Sequence, residues 1–250
     1  MKENSFMHRL LRERVVPLLL VLMLPLASCA HRVLTPQETT VRKILTAYGG
    51  RDALVRVQAL SAEGTITRFK TKDEGTYTRF MRRDGNLLVS IAYPNFLEVR
   101  LLNGPKGYRG APGRLNEVSG DLYLAMVYQY NQLDLPFGFL DGALKPSAPL
   151  TSDRSGEEDT IHCVDRAGNA LEVTVRRSDS RIVKTTGNFQ VNSAKTSLSA
   201  EFDDFHMVEG VLLPFRIVNY AEGMKISETR ITLYRINPFI SGSTFSVLWQ

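Results

Sequence analysis

Apolar residues first recur at helical spacing from Val41 through Ile44 and Leu45 to Tyr48. Just upstream, Thr35-Pro36-Gln37-Glu38 has the form of a capping box with proline at the first helical position, so that the Thr35 hydroxyl and the Glu38 carboxylate can each accept from the other's backbone N–H. A helix is predicted to start there. Gly49-Gly50 ends it by supplying a left-handed residue, and a short helical turn, Arg51 to Val57, follows. From Leu60 the period changes to two: Thr65, Thr67 and Phe69 share one face, then Thr76, Thr78 and Phe80, then Leu87, Val89, Ile91 and Tyr93. These read as strands. Asp84-Gly85 signals a hairpin between the second and third. The next strand carries Leu97, Val99 and Leu101 opposite Glu98 and Arg100, which implies one dry face and one wet face. The three G-x-y triplets from Gly104 to Gly113 read as one loop.

A second helix is predicted over Ser119 to Asp134, where Leu122, Ala125, Met126, Tyr130 and Leu133 follow helical spacing behind a Ser119 or Asp121 cap. An apolar stretch, Leu135 to Leu144, and a polar loop to about Asp159 come next. Six further strands are expected near Thr160–Asp165, Leu171–Arg177, Arg181–Val191, Thr196–Phe205, Val211–Tyr220 and Lys225–Ile236. The turns between them are too short for crossover helices, so neighbouring strands should be antiparallel. About ten strands in all are expected, forming one domain over residues 35–250, because neither half has enough strands to close on itself.

Composition is that of a globular chain: 250 residues, 43 % hydrophobic and 23 % charged. The formal charge of +5 includes Lys2, Arg9, Arg12 and Arg14 against Glu3 and Glu13; the chain beyond residue 29 holds 27 basic and 24 acidic residues. So slight an excess argues against nucleic acid, whose binding needs a concentrated basic stripe. Catalytic chemistry is equally sparse. His31, His162 and His206 lie far apart without metal-ligand spacing, and there is neither a G-x-S-x-G elbow nor a phosphate-binding loop. Asp203 and Asp204 alternate on a strand and so face apart, and Glu157-Glu158-Asp159 reads as a solvated loop. Arg79, Arg82 and Arg83 read as a solvated edge rather than an anion site. Arg79 and Arg83 face one way and Arg82 the other, which also argues against the lipid-facing band of a transmembrane barrel. Cys163 shares a strand face with Ile161, as a small buried hydrophobe does. No catalytic residue, metal or cofactor is assigned, and the chain is not expected to be an enzyme.

The amino terminus has three parts: a basic region, Met1 to Arg14; an apolar run, Val15 to Leu26; and small residues. The apolar run is too short for a membrane span, which needs about 20 residues, and fits a secretory signal over residues 1–28. Leu26-Ala27-Ser28-Cys29 resembles the lipobox of bacterial lipoproteins at all four positions. That resemblance implies cleavage before Cys29 and acylation of its thiol and amino group, a stable anchor because each buried methylene contributes about 0.8 kcal/mol. Ala30 and His31 follow where aspartate would retain a lipoprotein at the inner membrane, so the implied address is the periplasmic face of the outer membrane. Residues 29–34 form a tether; Ala30 to Leu34 reach roughly 17 Å when extended at about 3.4 Å per residue.

Four further stretches, Ala47-Tyr48-Gly49-Gly50-Arg51-Asp52-Ala53-Leu54, Leu60-Ser-Ala-Glu-Gly64, Gly107-Tyr108-Arg109 and Val208-Glu-Gly-Val-Leu-Leu-Pro-Phe-Arg216, resemble the LolA/LolB-like lipoprotein carriers and the wider outer membrane lipoprotein-sorting group. The resemblance covers most of the chain beyond the signal. It implies a mainly β fold, a curved and incompletely closed antiparallel half-barrel with helices over its concave face, enclosing an apolar cavity for acyl chains. Leu97, Val99, Leu101, Met126, Phe137, Phe139, Val211, Leu213 and Phe215 are then the candidates to line that cavity. The implied partners are lipid or lipoprotein acyl chains, the membrane through the anchor, and a soluble lipoprotein carrier. An anchored chain resembles the receptor of that system more than its shuttle. The alternative is an envelope sensor or assembly lipoprotein that uses the same sheet to bind a protein or a signal lipid.

Overall fold

The computed structural model describes residues 34–191 and 194–247. The expected signal, Cys29 and the tether up to residue 33 lie outside the described residues. Helix α1, Pro36–Ala47, starts at the Thr35 capping box: Glu38 N donates to Thr35 Oγ1 at 3.2 Å, and Thr35 N donates to Glu38 Oε2 at 2.9 Å. It buries Ile44 and is followed by the short helix α2, Gly50–Val55. Gly49 joins them at φ +115°, and a Cβ there would stand 2.0 Å from the Gly210 carbonyl oxygen. Only glycine allows that approach. It presses the end of α1 onto the turn that precedes β13, where Leu212 N also donates to Tyr48 O at 3.2 Å. Two of the family-like stretches are thereby packed together.

The fourteen strands among the described residues are hydrogen-bonded into one antiparallel sheet. In chain order they are β1 Ala59–Arg68, β2 Glu74–Arg82, β3 Asn86–Tyr93, β4 Phe96–Asn103, β5 Lys106–Ala111, β6 Arg114–Val118, β7 Lys145–Pro146, β8 Thr151–Ser152, β9 Glu158–Val164, β10 Ala170–Arg176, β11 Ile182–Val191, β12 Ala194–Val208, β13 Val211–Ala221 and β14 Met224–Ile236. Spatial order is β6-β5-β4-β3-β2-β1-β14-β13-β12-β11-β10-β9-β7, with β8 also on β9, so the sheet ends at β6 and β7 and is not closed. The two halves of the chain meet at the β1–β14 pair. Helix α3, Gly120–Leu133, and the single turn α4, Phe137–Leu140, connect β6 to β7.

Curvature follows from α3. Its 14 residues span about 21 Å at 1.5 Å per residue, yet it touches β4 and β5 on one side and β11 on the other. In a flat sheet β4 and β11 would lie roughly 34 Å apart, at about 4.8 Å per strand. The sheet must curl around the helix. Its inner face carries the main core: Leu60, Tyr77, Met81, Val89, Ile91, Ile161, Val173 and Ile217 pack with Ile44, Tyr48, Leu54, Tyr128, Leu133 and Phe137 from the helices.

The structure corrects several sequence expectations. The Gly104–Gly113 region is not one loop: β5 and β6 form a hairpin there, paired Gly107 to Val118 and Ala111 to Arg114. Gly107 is the reason α3 can lie so close, because a Cβ on it would meet Tyr123 at 3.0 Å and Met126 Sδ at 3.4 Å. Short glycine-rich strands carry too little alternation to be recognised, which is also why about ten strands were expected. Glu158 and Asp159 open β9 rather than lying in a loop. Nor do β3 and β4 have one wet face: Leu88, Val99, Leu101 and Phe245 form a second buried cluster. A 3₁₀ turn, Gly242–Phe245, lies against the outer side of these strands, held by Asn103 Nδ2 donating to Phe245 O at 2.9 Å.

Candidate functional site

Between α3 and the inner face of the sheet lies a cleft of about 800 Å³. β1 and the segment after it supply Ile66, Arg68, Phe69 and Lys70; β3 gives Tyr93; β4 and β5 give Glu98, Arg100 and Arg109; α3 gives Leu122, Ala125, Met126 and Gln129; and β14 begins the opposite wall with Met224 to Ser227. Its size falls within the roughly 300–1,000 Å³ of small-molecule sites. Around the opening, Phe69, Leu122, Met224 and Ile226 are exposed hydrophobics, Met224 to 68 % and Leu122 to 53 %.

Three consecutive residues tie α3 to the sheet. Tyr128 OH lies 3.1 Å from Thr185 Oγ1 on β11. Arg100 Nη1 on β4 donates to Gln129 Oε1 at 3.4 Å. Tyr130 OH donates to Arg82 O and accepts from Gly85 N at the β2–β3 turn, both at 3.2 Å. Beneath the helix the space continues inward. A pocket of about 130 Å³ shares Ile66, Arg100, Gln129, Ile226 and Ser227 with the cleft. A void of about 20 Å³ beyond it shares Gln132, Leu133 and Ile217 with that pocket.

The cleft has a charged end. Glu98 Oε1 accepts from Arg100 Nε at 2.8 Å and from Arg109 Nη2 at 2.9 Å. Burial opposes the charge on Glu98, but the two guanidiniums outweigh it and hold the carboxyl below its ordinary value. Arg68 lies over the rings of Tyr93 and Phe96 at 5.3 and 5.6 Å, and Lys225 over Phe69 at 4.2 Å, arrangements in which cationic side chains cover aromatic walls. Lys225 Nζ also donates to Glu228 at 2.8 Å. Hydrogen bonds from Arg216 and Lys225 pull the Glu228 carboxyl down to about 2.

Of the nine residues expected to line a cavity, Met126 lines this cleft. Leu97, Val99 and Leu101 lie on the other face of β4: Val99 and Leu101 are buried under the 3₁₀ turn, and Leu97 is exposed. The alternate set, Glu98 and Arg100, faces inward instead. Phe137, Phe139, Val211 and Leu213 belong to the main core, Leu213 bordering the innermost void. Phe215 is half-buried, with its ring 5.2 Å from that of Tyr234 and 4.8 Å from that of His206. Sequence reasoning missed Ile66, Tyr93 and Ile226 as wall residues. It missed the Glu98–Arg100–Arg109 cluster too, although opposite charges at alternating positions of neighbouring strands signalled it.

The arginines are a second correction. Arg79 is not at a solvated edge but 2 % exposed, over the Tyr234 ring at 5.5 Å, and it borders the innermost void together with Gln132. Its Nε and Nη1, like Gln132 Oε1, have no hydrogen-bond partner among the described residues. Arg83 is partly buried, its side chain 10 % exposed; it donates to Val57 O, Phe137 O and Asp141 Oδ2, with Asp134 Oδ1 3.8 Å from its Nε. Arg82 pairs with Asp84 at the surface.

Cys163 is buried, and burial pushes its thiol up to about 12, far from a reactive thiolate. His162 bonds Thr151, and His206 bonds Asp204. Among the described residues no group of three or more His, Cys, Asp and Glu could hold a metal ion. No helix among them is long and apolar enough to cross a membrane.

No protein-family model matches the chain, and no curated protein matches it in sequence. Solved structures do match in fold. A LolA superfamily protein from Nitrosomonas europaea aligns with a TM-score of 0.52 at 13 % identity, over 83 % of this chain and 96 % of its own. A DUF1329 family protein from Desulfovibrio piger gives 0.53 at 11 % identity, over 86 % and 98 %. A putative outer membrane lipoprotein-sorting protein domain from Vibrio parahaemolyticus gives 0.50 at 9 % identity, over 83 % and 95 %. An unclosed antiparallel sheet curled around a helix, aligned over nearly the full length of these structures, gives this chain the LolA/LolB-like fold.

Proposed function

We propose that the protein is a non-enzymatic envelope lipoprotein that holds the acyl chain of a lipoprotein or another lipid in the cleft beneath α3 and assists its placement in the outer membrane. It acts from the periplasmic face, anchored through an acylated Cys29, and receives its cargo from a soluble carrier. The observation that carries this reading is the cleft itself: about 800 Å³, walled by Ile66, Phe69, Tyr93, Met126 and Ile226, with further apolar side chains exposed at its opening. An acyl chain entering there removes apolar surface from water on both partners, each buried methylene contributing about 0.8 kcal/mol. Shielding an acyl chain in such a cleft requires no covalent step. The neighbours named for the LolA superfamily and for lipoprotein sorting support the reading through their shared fold.

Titration with pyrene-labelled phosphatidylcholine tests it. Saturable binding is expected, with the label's excimer emission giving way to monomer emission as single lipids enter the cleft. Persistent excimer emission at all protein concentrations would overturn the reading.

A further inference from the structure

The acyl-lipid reading leaves the charged end of the cleft unexplained. Five cationic side chains, Arg68, Lys70, Arg100, Arg109 and Lys225, line the same space as one carboxylate, Glu98. Two of the five are already engaged nearby: Lys225 is paired with Glu228, and Arg68 covers the Tyr93 and Phe96 rings. Arg100 and Arg109 differ because both lean on a single oxygen, Glu98 Oε1. Each guanidinium offers five N–H donors. The contacts with Glu98 and Gln129 engage Nε and Nη1 of Arg100 and Nη2 of Arg109. Glu98 therefore positions two forked donors side by side at the wall of an apolar cleft without neutralising them both.

We infer that this end of the cleft is a headgroup site, and that the lipid it takes is an anionic phospholipid whose phosphodiester is held by Arg100 and Arg109 while its chains run beneath α3. The inference rests on the acyl-lipid reading and adds a ligand class to it. Planar guanidinium forks match phosphate oxygens and bind them through charge-assisted hydrogen bonds, about twice as strong as neutral ones. The site is half enclosed: Arg100 is 29 % and Arg109 46 % exposed at the side chain, so the field is less screened than on an open surface. Lys70 and the remaining cations add a positive potential that disfavours a cationic headgroup.

The test uses the full-length chain carrying Cys29→Ser, so that its own anchor cannot fill the cleft, titrated with pyrene-labelled phosphatidylglycerol, phosphatidylcholine and diacylglycerol. Phosphatidylglycerol is expected to bind about tenfold more tightly than the other two, a preference that falls as salt is raised. Arg109→Gln, at a half-exposed position and with Arg100 left to pair Glu98, is expected to remove most of the preference in a protein that still melts cooperatively, and an undiminished preference in that folded variant would overturn the site. Equal binding of all three lipids would overturn the headgroup site and leave the acyl-chain reading standing. Failure of all three to bind would overturn both. Displacement of phosphatidylglycerol by glycerol phosphate at equal concentration would assign the site to a soluble phosphate and overturn the lipid.

Discussion

Replacing Ala125 by tryptophan is expected to reduce acyl-lipid binding by at least about tenfold while leaving the protein folded. Ala125 lies on the cleft side of α3 and is only half-buried, so an indole placed there fills open space rather than a packed core. Small-to-large changes in a filled core cost about 1–3 kcal/mol through strain; here there is a cleft of about 800 Å³ to receive the ring. The ring takes the volume that the acyl chain would occupy and displaces it. Titration with pyrene-labelled phosphatidylcholine beside a thermal melt measures both quantities. Unaltered binding with the melt also unaltered would place the lipid somewhere other than beneath α3.

A second large effect is expected from Asp134, the residue that ends α3. Burial raises its carboxyl from 3.8 to about 8, against the attraction of Arg83, and Asp141 pushes the same way as burial. The folded protein therefore keeps a proton that the unfolded chain releases near 3.8. Between these two values the folded state binds the extra proton, so stability falls as pH rises, by about 1.4 kcal/mol for each pH unit, and levels off above about 8. Asp134→Asn has no proton to lose. It is expected to be more stable than the wild type at pH 9 by several kcal/mol, with the difference shrinking steadily toward pH 4. Urea midpoints at pH 5, 7 and 9 give the comparison; parallel curves for the two proteins would show that Asp134 is ionised in the fold.

The parts of this fold legible in the sequence are those governed by neighbours along the chain. The Thr35–Glu38 capping box, the Asp84-Gly85 hairpin and the six strands from β9 to β14 each depend on residues a few positions apart, and each is found within a few residues of its expected place. What alternation cannot say is which face of a strand a distant element will cover. Leu97, Val99 and Leu101 share a face with one another and not with Glu98 and Arg100, as the pattern requires. The assumption that the apolar set faces the helices failed because the carboxy-terminal segment around Phe245 covers the outer face.

Arg79 is the same lesson in a sharper form. Tyr77, Arg79 and Met81 alternate as one face of β2, and all three are buried. A charged residue between apolar ones normally reports an edge. The curl of the sheet around α3 and the Tyr234 ring turns this position into the interior, and neither is visible in the local sequence. Met126 was legible as a cleft residue because its helix presents one apolar face to the only side on which the sheet can lie. The polar partners of that face, Gln129 and Arg100, are joined by a contact 29 residues apart in the chain.

Native mass spectrometry of the protein with Cys29 replaced, purified from bacterial periplasm without detergent, tests the central claim most directly. The expected result is a non-covalent complex heavier than the bare chain by one lipid or acylated peptide, and a bare mass for the Ala125→Trp variant prepared in the same way. A wild-type protein that appears only at its bare mass, and takes up neither added phospholipid nor lipopeptide, would contradict the account and leave the sheet as a surface for a protein partner.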